Sequence, residues 1–150
     1  MALAASWDRK VIVEDAIVGR ELECALLGND QVGGSGVGEV LAAAEFYDYE
    51  AKYHNAASKT VIPADLPDKT RETVRKIAEK VFRAVDGCGL ARVDFFGEQE
   101  SGRVIFNELN TMPGFTAIRL YPMPWEAEGM SKAGLMGWLR RSALGQGDGI

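Results

Sequence analysis

The chain has 150 residues, 47% hydrophobic and 26% charged, an ordinary globular balance with enough apolar material for one buried core. Its formal net charge of −5 gives no electrostatic drive toward nucleic acid or an anionic membrane, so a phosphate-bearing ligand would need a local cationic pocket. The start lacks the apolar core of a secretory signal and no stretch approaches the ~20 apolar residues of a membrane span, which predicts a protein neither exported nor embedded.

Cys24 and Cys88 form no CxxC and no disulfide framework, and two buried free thiols in a reducing cytoplasm are the expectation. Residues 1–7 read as the tail of a helix. Asp8-Arg9-Lys10 is a polar break before a short strand at Val11-Ile12-Val13, which ends in Glu14-Asp15. Glu21-Leu22-Glu23-Cys24-Ala25-Leu26-Leu27 predicts a second strand, polar early and apolar late; on their own, Glu14 and Glu21 read as strand-edge charges. Residues 28–38 are turn-rich. Gly33-Gly34-Ser35-Gly36 has the composition of a phosphate cradle but lacks the lysine and following helix of a P-loop, so a hairpin loop is the better reading, with Glu39-Val40-Leu41 as the next strand.

Phe46-Tyr47-Asp48-Tyr49-Glu50-Ala51-Lys52-Tyr53 is too polar for a core strand and too aromatic for an indifferent linker; a closing loop fits both properties, as does an amphipathic surface turn. His54, beside Asn55, reads as an exposed polar residue. Thr60-Val61-Ile62-Pro63 predicts a short strand, and 68–85 a helix that starts near an Asp cap. Its apolar stripe is Val74, Ile77, Ala78, Val81, Phe82 and Val85, and Gly87-Cys88-Gly89 ends it.

Residues 90–114 carry the chemistry. Side chains alternate across a strand, so Arg92 and Asp94 share one face while Ala91, Val93 and Phe95 share the other; Glu108 and Asn110 share a face in the next run. A turn-rich stretch, 97–102, makes the two runs a β-hairpin. Opposed residues of an antiparallel pair point to the same side, so Asp94 joins Glu108 and Asn110 if the numbers in each opposed pair sum to an even number. That predicts an odd-length connection, such as Glu98-Gln99-Glu100 or Gln99-Glu100-Ser101. Two carboxylates and an amide carbonyl are hard ligands suited to Mg²⁺, and no His or Cys favours zinc. Such a pair taken alone is a solvated sheet face; the apolar flanks and the backbone N–H groups of 110–114 directly after Glu108 argue for a site. Helical material at 124–144 and a frayed tail at 145–150 close the chain.

Three segments in order, Phe46 to Tyr53, Arg92-Val93-Asp94 and Asn107-Glu108-Leu109-Asn110-Thr111-Met112-Pro113-Gly114-Phe115-Thr116, closely resemble the D-alanine–D-alanine ligases, ATP-grasp enzymes of peptidoglycan synthesis, and the resemblance runs from about Arg9 to Leu144. It implies an α+β fold, an ATP-grasp C-terminal domain with a largely antiparallel sheet flanked by helices, at 11–144. Residues 1–10 would then be a remnant of the preceding central-domain helix or linker, and 145–150 a tail. The family's activity is ligation of two D-alanines through an acyl phosphate, with ATP and one or two Mg²⁺ or Mn²⁺ ions. The resemblance implies that Glu14 and the backbone near Asp15 and Ile17 meet adenine, that Glu21 meets the ribose, and that Phe96, Asn107 and Glu108 complete the nucleotide site. Lys52 and Tyr53 would lie near phosphates and substrates. Arg92 would stabilise the transferring phosphoryl group and the tetrahedral intermediate, whose oxyanion the Gly114 N–H would serve; Asp94, Glu108 and Asn110 would hold metal, and Arg119 and Leu120 the acceptor.

Two departures stand out. Arg119 occupies a position where the family commonly has a serine; it either binds the acceptor carboxylate bidentately or points outward. The stretch between the core strands is one residue longer than expected for the family, which parity tolerates if the insertion stays within the turn. The family's N-terminal and central domains are not visible, so the chain alone is expected not to catalyse ligation. The full-length protein is expected to be a cytoplasmic homodimer acting on D-alanine and ATP, without nucleic acid or membrane. Alternatives are a sibling ligase using D-lactate, D-serine or another acceptor, and a non-catalytic nucleotide-binding remnant.

Overall fold

In the computed structural model, which describes residues 2–41, 59–99, 101–115 and 121–145, the elements follow as α1 (Ala2–Ala5), β1 (Gly19–Gly28), β2 (Val32–Leu41), β3 (Lys59–Val61), α2 (Asp68–Ala84), β4 (Gly89–Glu98), β5 (Val104–Asn110), α3 (Pro122–Ala127) and α4 (Lys132–Ala143). The strands form one antiparallel sheet in the order β3-β2-β1-β4-β5, flanked by helices, as the α+β expectation requires.

β1 is central because its apolar run is buried on both faces. Leu22, Cys24 and Leu26 join Val37 of β2 and Ala91, Val93 and Phe95 of β4 on one face, against Val74, Ala78 and Phe82 of α2. Those helix residues recur every four positions, one stripe of a helix, and each large apolar side chain buried there contributes ~1.5–3 kcal/mol. Ala25 and Leu27 on the other face meet Tyr121, Trp125, Leu135 and Trp138 of the C-terminal helical region. The Tyr121 hydroxyl donates to the Leu26 carbonyl at 2.7 Å and ties that region to the central strand.

Several local expectations are corrected. Val11-Ile12-Val13 is exposed and irregular rather than a strand, because no described strand runs beside it to take its backbone hydrogen bonds. The glycine-rich stretch is strand, not loop: the turn is confined to 29–31, and Gly28 at its entry has φ +145°, where an added Cβ would stand 2.0 Å from the Gln31 carbonyl oxygen. β2 carries a bulge here, and the buried Ser35 hydroxyl stands in for a ladder carbonyl by accepting the Ala25 N–H at 3.0 Å. Helix α2 has Pro67 rather than an Asp at its N-cap, with Asp68 in the first turn paired to Arg71. Val85, expected in the stripe, is 57% exposed because it falls at the C-cap, where the Gly87 N–H turns back to the Phe82 carbonyl at 2.9 Å. Cys88 is exposed rather than buried, in the connection to β4, where its thiol donates to Asn29 Oδ1 at 2.8 Å.

Ser35→Ala leaves the Ala25 N–H buried without its acceptor and is expected to cost about 1–3 kcal/mol, read from the urea midpoint. Burial pushes the Cys24 thiol up to about 12. The folded protein at pH 8 should therefore take one equivalent of a thiol reagent, at Cys88, and release the second only on denaturation.

Candidate active site

The site is assembled by β4 and β5, and its geometry turns on one extra residue. Near the turn Phe95 opposes Phe106, Phe96 opposes Ile105 and Gly97 opposes Val104, pairs that sum to an odd number. Beyond a register shift, Asp94 opposes Glu108, Val93 opposes Leu109 and Arg92 opposes Asn110, pairs that sum to an even number. Asn107 is the unpaired residue, a β-bulge. Packing reports the same break: Val104 and Leu109, an odd number of positions apart, both pack on the first core.

The register sets Asp94, Glu108 and Asn110 on one face with Arg92, but the expected odd-length connection is not formed. Glu98 N–H donates to the Arg103 carbonyl at 2.8 Å, leaving an even connection of 99–102, with Gly102 at φ +68°. The residue in excess sits inside β5, where an edge strand can absorb it without breaking a second ladder.

Arg92 is held from two sides. Its Nε and Nη2 donate to the two Asp94 carboxylate oxygens, each at 2.7 Å, a bidentate pair with both side chains about 15% exposed. Across the sheet Glu23 directly opposes Asp94, and its Oε2 lies 3.7 Å from Arg92 Nε. Burial alone would lower the affinity of the guanidinium for its proton; the hydrogen bonding it donates to Asp94 and the charges of Glu23, Asp94 and Glu108 outweigh it, so Arg92 is held firmly in its charged form. Glu23 is the site residue that the strand pattern did not single out. Its signal was a second carboxylate two residues after Glu21, on the same face of β1 and at the edge of the apolar run.

Of the other expected residues, Glu21 and Phe96 oppose each other on this face, both half-buried. Asn107 is the exposed bulge residue. Glu14 and Asp15 are exposed and Ile17 half-buried in the irregular lead to β1. Gly114 is half-buried just after β5, following Pro113, which is buried. The closing segment with Lys52 and Tyr53, His54, Arg119, Leu120 and the tail after Gly145 lie outside the described residues.

Among the described residues no three His, Cys, Asp or Glu side chains converge tightly enough to hold a metal by themselves. The oxygen set here is two carboxylates, Asp94 and Glu108, and the Asn110 amide, whose Oδ1 accepts the Met112 N–H at 3.0 Å and keeps a second lone pair. This fits Mg²⁺ or Mn²⁺, which take hard oxygen donors and fill their other positions with water and phosphate oxygens. Charge points the same way: the carboxylates of Glu23, Asp94 and Glu108 around the Arg92 guanidinium leave negative charge in excess.

A family model described as "D-ala D-ala ligase C-terminus" matches residues 1–139. The D-alanine–D-alanine ligase of Acetivibrio thermocellus is 58% identical over 128 residues, 85% of this chain and 34% of that protein. Among solved structures, the VanG D-Ala:D-Ser ligase from Enterococcus faecalis matches with a TM-score of 0.73 at 32% identity, covering 88% of this chain and 37% of that one. The D-alanine–D-alanine ligase from Bacillus anthracis complexed with ATP matches with a TM-score of 0.69 at 29% identity, covering 87% and 41%. The chain thus spans 34% to 41% of the length of these proteins.

If Asn107 does no more than absorb the excess residue, its deletion yields a regular ladder with Asp94 still opposite Glu108. The expected outcome is a folded variant that retains the cross-strand Hα–Hα nuclear Overhauser contact between Val93 and Leu109, the adjacent non-hydrogen-bonded pair in the same register. Loss of that contact in a folded variant would show that the bulge does more than hold register.

Proposed function

Because the chain belongs to the D-alanine–D-alanine ligase family, matching its C-terminal part, we propose that it is the portion of an ATP-dependent ligase that faces the transferring phosphoryl group, within a longer protein that joins two D-alanines for peptidoglycan precursors. The observation that carries this reading is the register that sets Arg92, Asp94, Glu108 and Asn110 on one face of β4 and β5. In the reaction the γ-phosphoryl group of ATP passes to the carboxylate of one D-alanine, leaving ADP and an acyl phosphate. The amine of a second D-alanine then attacks the acyl carbon. The C–N bond forms first, the carbonyl electron pair moving onto oxygen in a tetrahedral intermediate; as the carbonyl re-forms the C–O bond to phosphate breaks, and phosphate leaves with that electron pair and takes up the amine proton.

Asp94, Glu108 and Asn110 would hold one or two Mg²⁺ or Mn²⁺ ions, which supply charge neutralisation at the β- and γ-phosphates. Arg92, fixed and permanently charged, stabilises the negative charge that builds on the transferring group and on the tetrahedral intermediate, with the Gly114 N–H serving the oxyanion. Glu21 and Phe96 line the nucleotide side with Asn107, and Glu14, Asp15 and Ile17 reach the adenine once the lead to β1 meets the rest of the cleft. Lys52 and Tyr53 close over the phosphates, and Arg119 and Leu120 meet the acceptor. Residues 11–144 form the catalytic domain and 1–10 the end of the preceding one. The full-length protein works as a homodimer in the cytoplasm, in keeping with two free cysteines and with described helices none of which is long and apolar enough to cross a membrane.

Likeness to a D-Ala:D-Ser ligase favours one second reading, in which the acceptor is D-serine or D-lactate and Arg119 selects it. Acceptor screening of the full-length protein, with product identified by mass, separates the two.

In the full-length protein Asp94→Ala is expected to lower D-alanine-dependent ADP release by about 10²–10³-fold, the scale of one lost electrostatic contact in the transition state. The 150-residue chain alone should release none. D-alanine-dependent ADP release by the chain alone, or an Asp94→Ala variant at full rate, would overturn the proposal.

A further inference from the structure

Asp94 is asked to do two things at once. Both of its oxygens accept hydrogen bonds from Arg92, and the ligase reading asks the same oxygens to face a divalent cation. A guanidinium and a divalent cation repel each other, and both side chains are only about 15% exposed, so solvent screens the conflict poorly. Without a second anion within reach, Arg92 would either stay on Asp94 and weaken the metal or leave and lose its placement.

We propose that Glu23 is the positioning residue that resolves this conflict: it shares the Arg92 guanidinium with Asp94 and keeps it in place when the Asp94 oxygens turn to metal. The inference rests on the ligase reading and extends it to a residue outside the β4–β5 hairpin. Three observations support it. Glu23 lies directly opposite Asp94 in the β1–β4 pair, so the two carboxylates flank the Arg92 side chain from neighbouring strands. Its Oε2 is 3.7 Å from Arg92 Nε, against 2.7 Å for Asp94 Oδ1, so a shift of about 1 Å at the guanidinium end turns the long contact into a normal charge-assisted hydrogen bond. Glu23 is 8% exposed in the central strand, where the backbone is fixed on both sides; a charge so far out of water is retained only where a counter-charge compensates it. The register also separates its role from the metal's. Glu108 and Asn110 approach Asp94 from β5, whereas Glu23 approaches from β1, on the opposite side of β4.

Removing a carboxylate near a cation weakens cation binding by simple electrostatics, so the test must isolate the part that passes through Arg92. A double-mutant cycle does this. Mn²⁺ affinity is measured by electron paramagnetic resonance in the full-length ligase carrying these residues, with a non-hydrolysable ATP analogue, for wild type, Glu23→Gln, Arg92→Met and the double variant. Glu23→Gln is expected to weaken Mn²⁺ about tenfold when Arg92 is present and less than about twofold in the Arg92→Met background. Glu23→Asp, which keeps the charge, should recover part of the loss. Equal fold-changes in the two backgrounds would overturn the role of Glu23 while leaving the ligase reading intact. A wild type that binds no Mn²⁺ would sink the metal reading and this inference with it.

Discussion

Asp94 and Glu108 face each other because the bulge at Asn107 takes up the one residue that β5 holds in excess of the strand it pairs with. A β-ladder has a strict period of two, so a slip of one residue would send Glu108 to the face where Val93 and Phe95 meet α2, and would bring Leu109 out in its place. Both exchanges are unfavourable, the first because it buries a carboxylate in an apolar core and the second because it exposes a packed leucine. The bulge at Asn107 therefore holds the register that makes the chemistry available, and the same apolar contacts that stabilise the sheet select it.

The sheet divides its labour between two faces. One is closed by α2 along its length and is ordinary core. Among the described residues the other packs against the C-terminal helices at Ala25, Leu27 and Leu90, and the charged cluster begins with Arg92, which stands across from Ala25. Placing a guanidinium and several carboxylates beside a packed apolar layer lowers the local dielectric response, which strengthens each interaction and raises the cost of any unpaired charge. Arg92 meets that cost by pairing with Asp94 and Glu23 together. A positive charge fixed in advance needs no reorganisation when negative charge develops nearby, which is what the proposed role of Arg92 requires.

Likeness to ligases of different acceptors fits this division. On the proposed ligase reading, the sheet, its two cores and the charged cluster would serve the ATP half-reaction. On the same proposed reading, acceptor choice would rest on the segment after Gly114, where Arg119 stands in place of the family's usual serine.

What the amino-acid order determined by itself was whatever depends on local pattern. The four-residue recurrence of Val74, Ala78 and Phe82 specified a helix, and the alternation around Arg92, Val93 and Asp94 specified a strand with two chemically different faces. Parity within each strand also joined Glu108 to Asn110. Four things were decided only by the tertiary structure. Val11-Ile12-Val13 is apolar enough for a strand but has no neighbouring strand among the described residues, and pairing is not a local property. The glycines of β2 read as turn until the close packing of Cys24 and Leu26 against Gly34 shows why a side chain there would be crowded. The partnership of Glu23 with Arg92, and the bulge that absorbs the extra residue of β5, both follow from register between strands far apart in the chain, which is set by how the whole sheet buries its apolar face.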